Sequence, residues 1–257
     1  DLLKRNIQFD IFEECISSIK IGNTWKSTRK NRHAATNRLI IDLLEEFPSP
    51  NLLEVGASSG STTLDLLDLL QNKFNLYYAT DIYFKIPYQM INGIVFFYHP
   101  INHTCIMRIS DHFIIYEDFK DAFFPVRIIA HHVFNRAPKY NTARSHMLNL
   151  LHPHVSDFSR ENEKLQIVEY DVFSAWPYAK ADIIKVANLL NLEYFSEERI
   201  KLALSNLKNA LTPKGRLIIT DNRDIENVSV FTRGSRGNFV LERQVNQGAE
   251  ITNLVIS

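Results

Sequence analysis

One short stretch constrains this chain more than any other. Leu52-Leu53-Glu54-Val55 reads as a buried strand, Gly56-Ala57-Ser58-Ser59-Gly60 as a tight loop, and Thr62 to Leu70 as a helix. A strand that runs through a loop into a helix is the first half of a crossover, and crossovers build parallel sheets. The chain has only eight glycines. Two of them bracketing one loop mark a backbone that bends sharply or lets a ligand approach closely.

The alternation continues downstream. Leu76 to Asp81, Leu165 to Asp171 and Ala181 to Val186 read as further strands. Ser196 caps a helix that runs to Leu211, and Thr212-Pro213-Lys214-Gly215 turns into the strand Arg216 to Thr220. Three strand-like runs close the chain: Val228 to Thr232, Asn238 to Val245 and Ala249 to Ile256. Runs joined by so short a turn pair antiparallel. The expected class is α/β, a doubly wound, mainly parallel seven-stranded sheet with a C-terminal antiparallel hairpin, N-terminal helices and an inserted α+β subdomain.

Residues 1–48 read as a helical segment ahead of a main domain over 49–257. Ile7, Ile11, Phe12, Cys15, Ile16 and Ile19 recur at helical spacing, Gly22-Asn23 is a stop, and a second helix spans Ala34 to Phe47. Between the two lies the basic stretch Trp25 to His33. The insertion is assigned to 83–140, because more than 80 residues separate Asp81 from Gln166 where a one-helix crossover unit takes about 30. It contains strand-like runs at Ile94 to Tyr98, Cys105 to Ile109 and Phe113 to Tyr116, then a helix at Pro125 to Phe134. Thr142 to Asn149 reads as the crossover helix. The insertion is rich in aromatics, Phe119 among them. They are expected to form a small core and, secondarily, a substrate lid or a homo-oligomer contact.

Composition narrows the partners. Lys plus Arg equals Asp plus Glu at 29 each, so the basic excess of a nucleic-acid binder is missing and no nucleic acid is expected. No apolar run approaches about 18 residues, so no membrane span is expected. Two isolated cysteines, Cys15 and Cys105, fit a reducing compartment and a cytoplasmic location.

Three readings compete for the glycine loop. A dinucleotide fingerprint needs glycines where Ser58 and Ser61 stand. A nucleophile elbow, G-x-S-x-G, fits Gly56 to Gly60 literally, but it requires a histidine after the later strands, and the last histidine is His154. The third reading is a nucleoside-sulfonium site. Glu54, Gly56 and Gly60 resemble the first motif of class I S-adenosylmethionine-dependent methyltransferases, E/D-x-G-x-G-x-G, with Ser58 in place of the middle glycine. Asp81 stands where that family grips the ribose hydroxyls, and Asp171-Val172 where it meets the adenine. The segments from Asp182 to Asn191 and from Leu211 to Leu217 resemble its later motifs, with Lys214 in place of a commoner glycine.

The resemblance covers about 34–82 and 142–257 and leaves the insertion unmatched. It implies S-adenosyl-L-methionine as cofactor, held by Glu54, Gly56, Ala57, Ser58, Gly60, Thr62, Asp81, Ile82, Asp171, Val172, Asn188 and, from the basic stretch, Arg32. It also implies methyl transfer by in-line displacement to a small-molecule acceptor. Asn188 and Asn191 are then the residues facing the transferred methyl. The sequence Asn188-Leu189-Leu190-Asn191 lacks the prolines of the N-P-P-Y found in some amino-methylating relatives. Two alternatives are a non-catalytic binder of the same nucleoside and a protein carboxyl methyltransferase of the chemotaxis-receptor type, which the segment through Phe195 resembles. Eight of the nine histidines lie between His99 and His154. A general base for a hydroxyl acceptor is expected among them, and His131 is the candidate. No cysteine or carboxylate pattern completes a metal site, so no metal is expected.

Overall fold

The computed structural model describes residues 9–21, 24–26, 29–117, 123–222 and 224–256. Ile7, Phe119 and the Ser27-Thr28 part of the basic stretch lie outside them. Helix α1 (Phe9–Ser17) leads into two short paired strands, β1 (Lys20–Ile21) and β2 (Thr24–Trp25), where the sequence reads as helix and connector. Then come α2 (Ala34–Asp42), β3 (Asn51–Val55), α3 (Ser61–Leu70) and β4 (Leu76–Asp81). Residues 83–151, past the 140 expected for the insertion, supply β5 (Lys85–Ile91), β6 (Ile94–Tyr98), β7 (Cys105–Ile109), β8 (Ile114–Tyr116), α4 (Phe124–Asn135) and β9 (His146–Asn149). The alternation resumes with α5 (Pro153–Glu161), β10 (Leu165–Glu169), β11 (Ala181–Ala187), α6 (Glu197–Ala210), β12 (Leu211–Asn222), β13 (Glu226–Arg233), β14 (Phe239–Val245) and α7 (Thr252–Ile256).

The chain divides into two compact units, residues 1–27 with 83–151 and residues 28–82 with 152–257. In the first, five antiparallel strands run in the order β8-β7-β6-β5-β9. Phe12, Ile16 and Ile19 pack with Ile86, Phe97, Met107 and Leu148 in its core. The start of the chain thus shares a core with the insertion, while α2 belongs to the other unit.

The second unit is a doubly wound sheet in the order β10-β4-β3-β11-β12-β13-β14. Its first five strands are parallel, and β13 and β14 close it as an antiparallel meander. Ile183, Ile184 and Val186 on β11 are all buried, as a strand covered on both faces requires. Strand order reverses between β3 and β11, so the loops leaving their carboxyl ends open where such sheets bind ligands.

Three local readings need correction. Residues 142–149 are not the crossover helix: a short 3-10 turn over Thr142–Arg144 leads into β9, which pairs with β5. The crossover helix is α5, started by Pro153 and capped by the His152 ring, which accepts the His154 N–H. Thr212 to Gly215 is no turn, because β12 runs through it with a register irregularity against β11. The run Ala249 to Ile256 ends in α7, not in a strand. Ile251 and Val255, four apart, both enter the core there.

Candidate functional site

The glycine loop is held from two sides. Gly56 N–H and Ala57 N–H donate to the Thr80 carbonyl at 2.9 and 2.8 Å, and Gly60 N–H donates back to Ala57 O at 2.8 Å. Gly56, Ser58 and Gly60 all have positive φ, +82°, +57° and +80°. For Ser58 that conformation is unfavourable, and Asp81 offsets it by accepting the Ser58 N–H on Oδ2 at 2.8 Å. A Cβ on Gly56 would lie 3.4 Å from Leu189, so the β11 tip packs directly against the loop. Ala57 is buried inside the bend, and Thr62 is buried in the first turn of α3, whose N–H groups have no partner within the helix.

Beneath the loop is a buried charge. Glu54 and Lys185 are neighbours in the β3–β11 register, and Lys185 Nζ donates to Glu54 Oε1 at 2.6 Å. Thr63 and Tyr77 hydroxyls donate to Oε2 at 2.6 and 2.8 Å. Burial works against ionisation of Glu54, but the Lys185 charge and these hydrogen bonds outweigh it and hold the carboxyl below its ordinary value. Burial and the Glu54 charge push Tyr77 well above its own. Glu54 therefore anchors the loop from below, with its oxygens turned into the core. Lys185 was missed in the sequence, although a lone lysine within Ile183-Ile184-Lys185-Val186 demands a buried partner.

The neighbouring tips close the rim. Tyr170 N–H donates to Asp81 O at 2.9 Å, which sets Asp171 beside Asp81. Asp171 accepts the Phe173 N–H on Oδ1 at 3.0 Å and so shapes the turn it begins. Val172 is taken into the core, whereas Phe173 stays half-buried, with the Arg199 guanidinium 3.7 Å above its ring and Phe195 edge-on at 5.0 Å. Ile82 is exposed.

On the other side of the switch point, Asn188 has φ +53° and donates its backbone N–H to Thr220 O at 2.8 Å. Its Oδ1 accepts the Asn222 N–H at 2.6 Å. Asn222 in turn is bound to Arg32, whose Nη2 donates to Asn222 O at 3.0 Å while the Asn222 amide donates to Arg32 O. Asn191 is buried and accepts the Tyr194 N–H on Oδ1 at 3.0 Å. Arg32, half-buried, has its pKa lowered first by burial and then by Arg29, while the Tyr194 phenol raises it. Next to it, His33 is buried and driven to a pKa of about 2 by burial and by the Lys185 and Arg32 charges.

The loop meets Asp81 and the Asn188 segment, and Asp171 lies in the same unit. His131 belongs to the other unit, exposed on α4. Among the described residues, no three His, Cys, Asp or Glu side chains come together to hold a metal ion. No helix there is long and apolar enough to cross a membrane. The donor set suits an adenosyl amino acid: a glycine-lined bend, helix-start N–H groups, carboxylates at two strand tips and a half-buried aromatic. Ser58 Oγ, buried with no partner among the described residues, is one more polar atom there for a ligand to satisfy.

No protein-family model matches the chain, and no curated protein does. Among solved structures it is similar to the N-methyltransferase NodS of Bradyrhizobium japonicum in complex with S-adenosyl-L-homocysteine. That match has TM-score 0.40 and 12% identity, over 82% of this chain and 71% of NodS. It is also similar to the CurJ carbon methyltransferase (0.38, 15%, 78% of this chain and 36% of that one) and to the mitomycin 7-O-methyltransferase MmcR (0.35, 11%, 74% and 36%). The chain spans little more than a third of those last two proteins. The doubly wound sheet with a glycine loop after its first strand is the architecture that the resemblance to class I methyltransferases implies.

Proposed function

We propose that the chain is an S-adenosylmethionine-dependent methyltransferase acting on a small molecule. One observation carries the reading: a positive-φ loop at the switch point, latched through Ser58 N–H to the acid at the next strand tip. The backbone of Gly56 to Gly60, with Thr62 in the first turn of α3, would hold the amino-acid part, helped by Arg32. Asp81 would hold the ribose, since a carboxylate accepts more hydrogen bonds than the one from Ser58. Asp171, Ile82, Val172 and Phe173 would border the base.

When bound, the cofactor supplies an electrophilic methyl group on a positive sulfur. What the chain's own residues contribute is alignment. A carboxylate that binds the charged ground state raises affinity without raising turnover, because that charge disappears in the transition state. Rate must come from fixing the acceptor on the line of attack and excluding water. Asn188 and Asn191, on either side of the Leu189 that packs against the loop, would do so.

Calorimetry with S-adenosylhomocysteine, followed by a methyl-transfer screen across hydroxyls, carboxylates, amines and thiols, tests the reading. Absence of binding overturns it. Binding without product in any class assigns the fold to a nucleoside-binding protein, and product on protein carboxyls alone assigns it to the carboxyl-methylating alternative.

A further inference from the structure

The side chains around the Asn188 turn are arranged to favour one kind of acceptor atom. Asn222 N–H can only donate, so the atom of Asn188 that faces it at 2.6 Å is the carbonyl oxygen. A flipped amide would set its NH2 group against another N–H. The Asn188 Nδ2 group therefore points away from Asn222, and it has no partner among the described residues. Asn191 repeats the arrangement. Its Oδ1 accepts the Tyr194 N–H, and its backbone carbonyl accepts the N–H groups of Tyr194 and Phe195 at 3.3 and 3.1 Å. Each side-chain carbonyl at this strand tip already accepts one backbone N–H, whereas the Asn188 amide donor is left to a ligand.

Arg32 is tied to the same Asn222. Of the nearby carboxylates, Glu226 accepts the Ala35 and Thr36 N–H groups at 2.8 Å and Asp221 accepts the Glu250 N–H, while Glu193 lies in the Asn191 to Tyr194 turn itself. An amine nucleophile must be relieved of a proton and needs acceptors for the hydrogens it keeps. An oxygen anion needs donors, and the Asn188 amide offers one.

We propose that the methylated atom is an anionic oxygen, a carboxylate or phenolate, and that Asn188 selects it by donating from Nδ2. The proposal rests on the methyltransferase reading above. In the step it implies, an oxygen lone pair forms the bond to the methyl carbon as the carbon–sulfur bond breaks. The sulfur keeps that bond's electron pair and becomes a neutral thioether. The negative charge on oxygen and the positive charge on sulfur cancel, no proton moves, and no general base is required.

The test separates binding from turnover. The full chain, saturated with S-adenosylhomocysteine, is titrated by calorimetry with a panel matched in shape: benzoates and acidic phenols such as 4-nitrophenol at pH 8, against benzylamines and anilines. The expected result is that the anions bind at least tenfold more tightly than the matched amines, and that Asn188→Asp abolishes this preference. With S-adenosylmethionine, the anions that bind should yield methyl esters or ethers by mass spectrometry. If S-adenosylhomocysteine binds but amines are preferred, or no anion binds, the oxygen-anion proposal is overturned and the cofactor reading stands. If S-adenosylhomocysteine fails to bind, the cofactor reading falls and this proposal falls with it. Should Asn188→Asp not fold, the wild-type panel alone decides.

Discussion

The Asp81 carboxylate accepts the Ser58 N–H at 2.8 Å, so removing it acts on the loop as well as on what the loop binds. Asp81→Ala leaves a non-glycine residue at positive φ without its latch. Affinity for S-adenosylhomocysteine should fall by about 1–3 kcal/mol, roughly 5- to 150-fold. An unchanged dissociation constant in calorimetry would take Asp81 out of the site. Glu54 is different in kind. Its partner Lys185 is 2% exposed, and Glu54→Gln would leave that ammonium buried beside a neutral amide. Breaking one side of a buried pair costs about 3–5 kcal/mol. The urea midpoint of Glu54→Gln should drop accordingly, whereas Glu54→Leu with Lys185→Met should recover only part of the loss, since no charge then remains unpaired but the buried Thr63 and Tyr77 hydroxyls lose their acceptor.

At the scale of elements, the loop and the β11 tip are built against each other. Gly56 combines φ +82° with Leu189 3.4 Å from where a Cβ would sit. Gly56→Ala is therefore expected to destabilise by about 1–2 kcal/mol from backbone strain alone. Adding Leu189→Ala should not restore that loss, because a left-handed φ stays unfavourable whatever space surrounds it. Equal denaturation midpoints for the double variant and the wild type would contradict this. These elements were legible because glycine, strand runs and helix caps are local signals. The misread ones depend on distant partners. His146 to Asn149 becomes a strand only by pairing with Lys85 to Tyr88, and the stretch around Pro213 is drawn into β12 beside β11. Ala249 to Ile256 has the composition of a strand, yet Val255 reaches the core from α7 and Ile251 from the turn just before it. In the candidate site, the acids at successive strand ends could be read from spacing. The engagement of the Asn188 carbonyl could not, because it follows from a contact with Asn222, 34 residues away.

For the molecule as a whole, charge is balanced, with 29 basic and 29 acidic residues and nine histidines. Long-range repulsion is therefore small near neutrality, and sensitivity to mild acid should trace to particular buried groups. His33 is lowered to a pKa of about 2 by burial and by the Lys185 and Arg32 charges. His152 is lowered to about 4 by burial and by His154. In the unfolded chain both titrate near 6.5. Between those values the unfolded state binds more protons than the folded one, so stability rises with pH there and levels off above about 6.5. On acidification it is lost progressively from about pH 6.5 downward, and the His152 contribution is exhausted near pH 4. Thermal melts from pH 8 to pH 4 should show this decline. His33→Gln should flatten the curve below pH 6.5 even where its stability at pH 8 is lower, because a glutamine takes up no proton on unfolding. His152→Asn keeps an acceptor at the start of α5 and should flatten the same range by a smaller amount. A His33→Gln melting curve that parallels the wild type over the whole range would mean that the acid response arises elsewhere, with the carboxylates as the next groups to test.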